Sequence, residues 1–212
     1  PFLQLIDALE PRGLKRVVFS SSAGSIYRSG RDAVAKAQAD TAYHSTKRSI
    51  EHYLSSRCAA TGLTAVSLRI SNPIGDLDRP GFGLVGHVAR AVAAGGDIAF
   101  FGDYATPKDY VALGDVGSAL AAAARSTGFG SEPGHHIVDV GSGWSIDAPG
   151  MYKVVRSLAE DGLELGRSPL HHGFGPSALD LEPMARLGGW QPRADLLASI
   201  DDLVRRHLDQ PR

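Results

Sequence analysis

Residues 41–62 read TAYHSTKRSIEHYLSSRCAATG, and their reading decides the fold. The run is free of proline and closes on Gly62, the residue type that ends helices in the left-handed conformation, while Asp40 or Thr41 offers an N-cap oxygen at its start. One long helix is expected. KRVVFSSS (15–22) lies before it and LTAVSLRI (63–70) after it, each with the composition of a short buried strand. Pro11 and Gly13 separate the first strand from an amphipathic helical pattern over Phe2–Glu10, with Phe2, Leu5, Ile6 and Leu9 on one face.

The alternation continues outward. Helices are expected over Leu84–Ala94 and Asp115–Arg125, and then at about 147–160, 177–187 and 195–209. Strands are expected at IAFF (98–101), DYVAL (109–113) and HHIVDVG (135–141), and residues 22–41 read as a loop. Strands alternating with helices of this length indicate an α/β fold with a mainly parallel sheet. Ligands of such sheets bind beyond the carboxyl ends of the strands, which points to Ser20–Ser22 and Ser71–Gly75.

Tyrosine and lysine four residues apart occur twice, as Tyr43/Lys47 and as Tyr104/Lys108. In a helix, positions i and i+4 share a face, so Tyr43 and Lys47 project side by side. Pro107 disfavours helix at Thr106, so the second pair does not align in this way. A free phenol titrates near 10, too high for good acid–base work at neutral pH. An ammonium about 4 Å away contributes roughly 4 kcal/mol at an effective dielectric near 20, enough to draw a phenol's pKa down by two or three units before desolvation is subtracted. The strand-end serines add a hydroxyl that can hold a substrate oxygen. Tyr43 and Lys47 are the candidate catalytic pair.

Composition narrows the classes. Of 212 residues, 22 are Lys or Arg and 23 Asp or Glu, a net charge of −1 that gives no electrostatic footprint for nucleic acid or an anionic membrane. Cys58 is alone, which points to a reducing, cytoplasmic setting. No apolar run approaches the eighteen or so residues of a membrane span. His135–His136 and His171–His172 are adjacent pairs that on a strand would face opposite ways, and no acidic or thiol spacing completes a metal site. Asp109 reads as a strand-end residue and Asp115 as a helix cap, while Trp144 and Trp190 read as packing residues.

The order SSSAGSIY (20–27), YHSTK (43–47), LRISNPIG (68–75), KDYVALGDV (108–116), with IVDVGSG and LGGWQPR later, resembles the extended short-chain dehydrogenase/reductases. It looks most like their NAD-dependent nucleotide-sugar epimerases of the UDP-glucose 4-epimerase type. The resemblance implies a Rossmann-like parallel sheet, of which only the later strands are here, and a small C-terminal substrate lobe. Residues 1–75 would be the latter part of the NAD-binding domain. Residues 76–212 would be a mixed substrate lobe, with a returning Rossmann strand and helix around 109–126.

By the same resemblance, Tyr43 would be the catalytic acid/base. Lys47 would bind the nicotinamide ribose and ease the tyrosine's proton loss, and Ser22 would hydrogen-bond the reacting oxygen. Ser20 and Ser21 would line the nicotinamide with Pro73 nearby. Asn72, Leu84, Phe101 and Lys108 would contact the substrate, Phe101 against its nucleobase. The cofactor would be NAD, with NADP the alternative, the substrate a nucleotide sugar and the assembly a homodimer formed through the Tyr43 and Phe2–Leu9 helices. The implied activity is 4-epimerisation through a keto sugar. A sugar ketoreductase and a non-catalytic family member that binds a ligand or partner are the alternatives.

The chain departs from that pattern in places. Ala23 and Gly24 follow Ser22 where dehydratases carry an acid, which argues for an epimerase or ketoreductase. Lys108 replaces a diphosphate-binding arginine and, as a point charge, cannot make the bidentate fork. His171 and Phe174 stand in HHGFG where the family has a nucleotide-holding arginine and aspartate, and Arg28 replaces a glycine. Gly81, Gly83 and Gly86 spell Gly-x-Gly-x-x-Gly after a loop and not after a strand, so they read as the entry to a substrate-lobe helix. The chain opens at Pro1 directly in a helical pattern, which leads to the expectation that it is a fragment of a longer protein.

Overall fold

A computed structural model describes residues 2–23, 42–75, 83–96, 98, 105–131, 133–160 and 163–209. In chain order its first elements are α1 (Phe2–Leu9), β1 (Arg16–Ser22), α2 (Ala42–Thr61), β2 (Thr64–Ile70), β3 (Asn72–Ile74), α3 (Gly83–Ala93) and β4 (Lys108–Ala112). There follow α4 (Leu113–Arg125), β5 (His135–Val140), β6 (Trp144–Ile146), α5 (Ala148–Ala159), β7 (Gly175–Pro176), α6 (Glu182–Gly188) and α7 (Leu196–Leu208). Two compact units result: Pro1–Ile70, Gly117–Val140 and Asp180–Gln191 form the first, and Ser71–Val116, Gly141–Leu179 and Pro192–Arg212 the second.

The first unit rests on a parallel sheet ordered β1-β2-β5. Arg16↔Thr64 to Ser22↔Ile70 align β1 with β2, and Ala65↔His135 to Ile70↔Val140 align β2 with β5. Thr64 to Leu68 are all buried, as a central parallel strand covered on both faces requires. Ile6, Phe19, Leu54, Cys58, Leu63 and Ala65 make a core under α1 and α2. In α1 only Ile6 of the expected apolar face is buried; Phe2 stacks on Phe19 with ring centroids 5.3 Å apart, and Leu5 and Leu9 remain exposed.

The second unit holds a mixed sheet ordered β3-β4-β6-β7. The strand expected at 109–113 is β4; it pairs with β3 and β6, whereas the strand that joins the parallel sheet is β5. Tyr110 supplies a reason, since its ring is buried in the second unit's apolar cluster. That cluster takes Val85, Val88 and Ala89 from α3, Met151, Val154, Val155 and Leu158 from α5, and Leu196, Leu197, Ile200, Leu203 and Val204 from α7. The spacing in each helix is one apolar stripe, so the three pack as a small bundle against the sheet.

The helix expected from residue 177 begins only at Glu182. The Ser177 hydroxyl accepts from the Leu179 N–H at 3.1 Å, and the Asp180 N–H goes to Asp139 Oδ2, so these backbone groups serve a turn. Of the other expectations, the strand at 98–101, the loop at 22–41 (whose first residue, Ser22, ends β1) and the N-cap at Asp40 or Thr41 fall wholly or mostly outside the described residues.

Candidate active site

The catalytic candidates of the first unit come from the end of β1 and the start of α2. Alternation along β1 buries Phe19 and Ser21 on one face and turns Ser20 and Ser22 to the other. Phe19 and Ser21 face α2, which meets them with Lys47, Glu51, Leu54 and Cys58.

Tyr43 and Lys47 lie on one helix face, with the ammonium 5.5 Å from the phenol ring centroid and 4.9 Å from that of Phe19. Lys47 Nζ donates to the Ser20 carbonyl at 2.7 Å, fastening the helix to the strand end. One of its three N–H groups is thereby used. Partial burial pushes the Lys47 ammonium below the usual lysine range. Tyr43 is 55% exposed, so its phenol is reachable from solvent. Ala23, directly after Ser22, is buried and carries no proton to donate.

Ser21 is not placed with these groups. Its side chain is buried, and its hydroxyl donates to Glu51 Oε1 at 2.7 Å. Arg69 Nε reaches the same oxygen at 3.2 Å and Arg69 Nη2 reaches Oε2 at 2.9 Å, a bidentate fork. Ser21 and Arg69 are direct register partners across β1 and β2. Glu51 is only 5% exposed, and leaving a carboxylate there without partners would cost several kcal/mol, about 3–5. Next along the sheet, His135 Nε2 lies 2.8 Å from the Ser67 hydroxyl, and burial pushes its imidazole pKa down against the pull of the Glu51 charge. Its neighbour His136 turns to the Phe129 ring instead, 5.4 Å between centroids.

The second unit carries the remaining candidates. Asn72 heads β3 and donates from Nδ2 to the Asp109 carbonyl at 2.8 Å, which leaves its carbonyl oxygen and second N–H for other partners. Pro73 pairs with Val111, a position where its missing N–H is tolerated on a short strand. Leu84 packs on the apolar cluster from α3, and Lys108 is exposed at the start of β4. Gly83 opens α3 at φ +71°, and Gly86 is buried within it; Gly81 and Phe101 lie outside the described residues. Asp109 is buried and accepts from the Ser142 and Gly143 N–H groups at 3.0 Å each, while burial raises its carboxyl pKa against those donors. Asp115 sits inside the first turn of α4 and accepts from Arg193 and Ala194, so it anchors a loop where a helix cap was expected. Among the described residues no cluster of three His, Cys, Asp or Glu is gathered as a metal would need.

A family model described as the NAD dependent epimerase/dehydratase family matches residues 2–141. The chain belongs to that family. It is 25% identical over 204 residues to dTDP-4-dehydro-6-deoxyglucose reductase of Escherichia coli, covering 93% of this chain and 63% of that protein. UDP-glucose 4-epimerase of Corynebacterium glutamicum is 27% identical over 218 residues, covering 94% of this chain and 65% of the relative. The chain therefore spans a little under two thirds of the length of these curated relatives. The solved UDP-glucose 4-epimerase of Thermus thermophilus in complex with NAD superposes with a TM-score of 0.70 at 25% identity, over 98% of this chain and 68% of that one. As a member of the epimerase/dehydratase family the chain has the expected α/β fold with a parallel sheet.

Glu51 and Arg69 are absent from the residues picked out in the sequence. The signal was present, since Tyr43, Lys47 and Glu51 follow at i, i+4 and i+8 and share a helix face. What hid it is that a glutamate on a helix is ordinarily a solvated one.

Proposed function

We propose that the protein to which this chain belongs is an NAD-dependent nucleotide-sugar epimerase of the UDP-glucose 4-epimerase kind, with Ser22, Tyr43 and Lys47 at its reaction centre. The observation that carries the proposal is the Tyr43–Lys47 face fastened at 2.7 Å to the strand end that bears Ser22. Tyr43 takes the proton from the sugar hydroxyl as the carbonyl forms, and Ser22 donates a hydrogen bond to that oxygen. Lys47 offers its N–H donors to ribose hydroxyls, a fit consistent with a half-buried ammonium beside an exposed Ser20. A bound nicotinamide would supply the site that takes up the sugar's hydride and gives it back. The proton goes back from Tyr43 once the keto sugar has presented its other face.

Asn72, Leu84, Phe101 and Lys108 are assigned to the substrate and Pro73 to the nicotinamide in the same proposal, and NADP is the alternative cofactor. Ser21 is assigned to the nicotinamide only through its backbone, because its hydroxyl is bound to Glu51. A homodimer through α1 and α2 belongs to the reading, supported by the exposed Leu3, Leu5 and Leu9 on α1. So does cytoplasmic residence, supported by the lone buried Cys58. A 4-keto-sugar reductase is the second reading, favoured by the similarity to the E. coli reductase and requiring the same three residues.

The test is Tyr43→Phe in the full-length protein, assayed for UDP-glucose/UDP-galactose interconversion and, separately, for reduction of a 4-keto sugar. A loss of about 10²–10⁴-fold in kcat with cofactor binding retained is expected. Turnover equal to that of the unaltered protein would overturn the assignment, and failure of the full-length protein to bind NAD or NADP would favour the non-catalytic alternative.

A further inference from the structure

We propose that Glu51, held by Ser21 and Arg69, is the positioning residue of the reaction centre and sets where the start of α2 stands against the end of β1. The inference rests on the reading that Tyr43 and Lys47 carry the chemistry.

The buried residues of α2 are Glu51, Leu54 and Cys58. The fully buried apolar anchors of the helix, Leu54 and Cys58, thus lie beyond Glu51; Ile50 packs half-buried against the same core directly before it, and Tyr43 and Lys47 lie a turn or more earlier. No residue from Ala42 to Ile50 is fully buried, so Glu51 is the first fully buried residue after the catalytic pair and acts as a bracket behind it. Two consecutive residues of β1 meet that bracket. Ser20 accepts at its carbonyl from Lys47, and Ser21 donates through its hydroxyl to Glu51, one helical turn further on. Arg69 joins the same carboxylate to β2 with two bonds, so Oε1 receives Ser21 and Arg69 and Oε2 receives Arg69. Each of these bonds is directional, and together they fix the helix in both rotation and height.

Net stability alone does not explain such an assembly. A well-packed apolar pair of similar volume is commonly as stable as a buried ion pair or more so. An apolar pair, however, tolerates sliding and rotation that a fork and a hydroxyl bond do not. Eight residues of helix rise about 12 Å, so a tilt of roughly 5° at Glu51 displaces Tyr43 by about 1 Å. A misplacement of that size is enough to cost about a hundredfold in rate. Glu51 acts through Lys47 and Tyr43 and touches neither substrate nor cofactor in this account.

The experiment compares three forms of the full-length protein: unaltered, Ser21→Ala, and the double variant Glu51→Met/Arg69→Leu. Amide hydrogen exchange is followed at residues 46–50, before the bracket, and at 54–60, beyond it; kcat and KM are measured alongside. Positioning predicts exchange about tenfold faster at 46–50 with 54–60 unchanged, and kcat down about tenfold or more with KM altered less than twofold. It also predicts that the double variant shows these losses while its Tm is maintained. Should the double variant not fold, Ser21→Ala decides the matter, because it removes one rung and leaves the ion pair. Unchanged exchange at 46–50 in the folded variants would overturn the proposal. If Tyr43→Phe proves inert, the catalytic reading falls, and the exchange data still report whether Glu51 places the helix.

Discussion

Glu51 in the first unit and Asp109 in the second are both buried carboxylates, yet they are satisfied by different kinds of donor. Glu51 takes a serine hydroxyl and an arginine fork from two neighbouring strands. Asp109 takes chiefly the backbone N–H groups of Ser142 and Gly143, in the turn that follows β5, with the Ser177 hydroxyl beside them. Asp115 does likewise for Arg193 and Ala194, and Asp147 and Asp195 cap α5 and α7 through Gly150 and Ala198. The division is one of degree, since Asp139 in the first unit also accepts from a backbone N–H, that of Asp180. It teaches that side-chain partners can tie a helix to a sheet at a chosen position, whereas backbone partners hold a turn closed whatever residues compose it. Turns held this way need little more than room. A Cβ on Gly141 would lie 2.5 Å from Asp109 Oδ1, which explains a glycine there without appeal to chemistry.

Breaking the side-chain network should cost most. Glu51→Ala leaves the Arg69 guanidinium without its fork partner, and a loss of about 3–5 kcal/mol in urea unfolding is expected. Asp109→Ala leaves backbone donors that a turn can partly offer to water, so about 1–3 kcal/mol is expected, with faster exchange at the Ser142 and Gly143 amides. Asp195→Ala removes one exposed cap from α7, whose apolar face keeps the helix docked; about 1 kcal/mol is expected from the same measurement.

The smallest effect concerns Lys47, and its sign is the informative part. Burial lowers its pKa, so the unfolded chain binds this proton more tightly than the folded one. The cost to stability is fully present at neutral pH and is relieved as pH rises from the folded value towards about 10.4. Lys47→Met should therefore be slightly more stable than the unaltered protein at pH 7, and the advantage should shrink by pH 10. Equal stability at both values would show that the Ser20 bond offsets the burial. Activity would fall in either case, as expected where function uses a destabilised group.

Much of the α/β character was legible because it depends on local periodicity. A long helix between two apolar runs, each too short to be a helix, leaves few alternatives, and residues 42–61 and 64–70 follow from composition and the stop at Gly62. The pairing of Tyr43 with Lys47 needed only helical geometry. Sheet membership was less legible. DYVA and HIVDV are equally good strands in isolation, and nothing local says that the first pairs with Asn72–Ile74 and the second with Thr64–Ile70. The roles of Ser21 and Ser22 were similarly blurred, because consecutive serines look alike until strand alternation sends one into the core and the next to the other face.

The sequence by itself determined the long helix and its two flanking strands, the helical face that carries Tyr43 and Lys47, and the family resemblance that its ordered motifs express; the short strands Asn72–Ile74 and Trp144–Ile146 were not legible in it. Only the tertiary structure decided that Glu51 is buried, that its carboxylate joins Ser21 to Arg69, and that Asp115 holds a loop near residue 193. The reason is physical. Periodicity and caps are set by interactions within about four residues, whereas the partners of a buried charge lie 18 to 79 residues away here, where pairing depends on which strands adjoin.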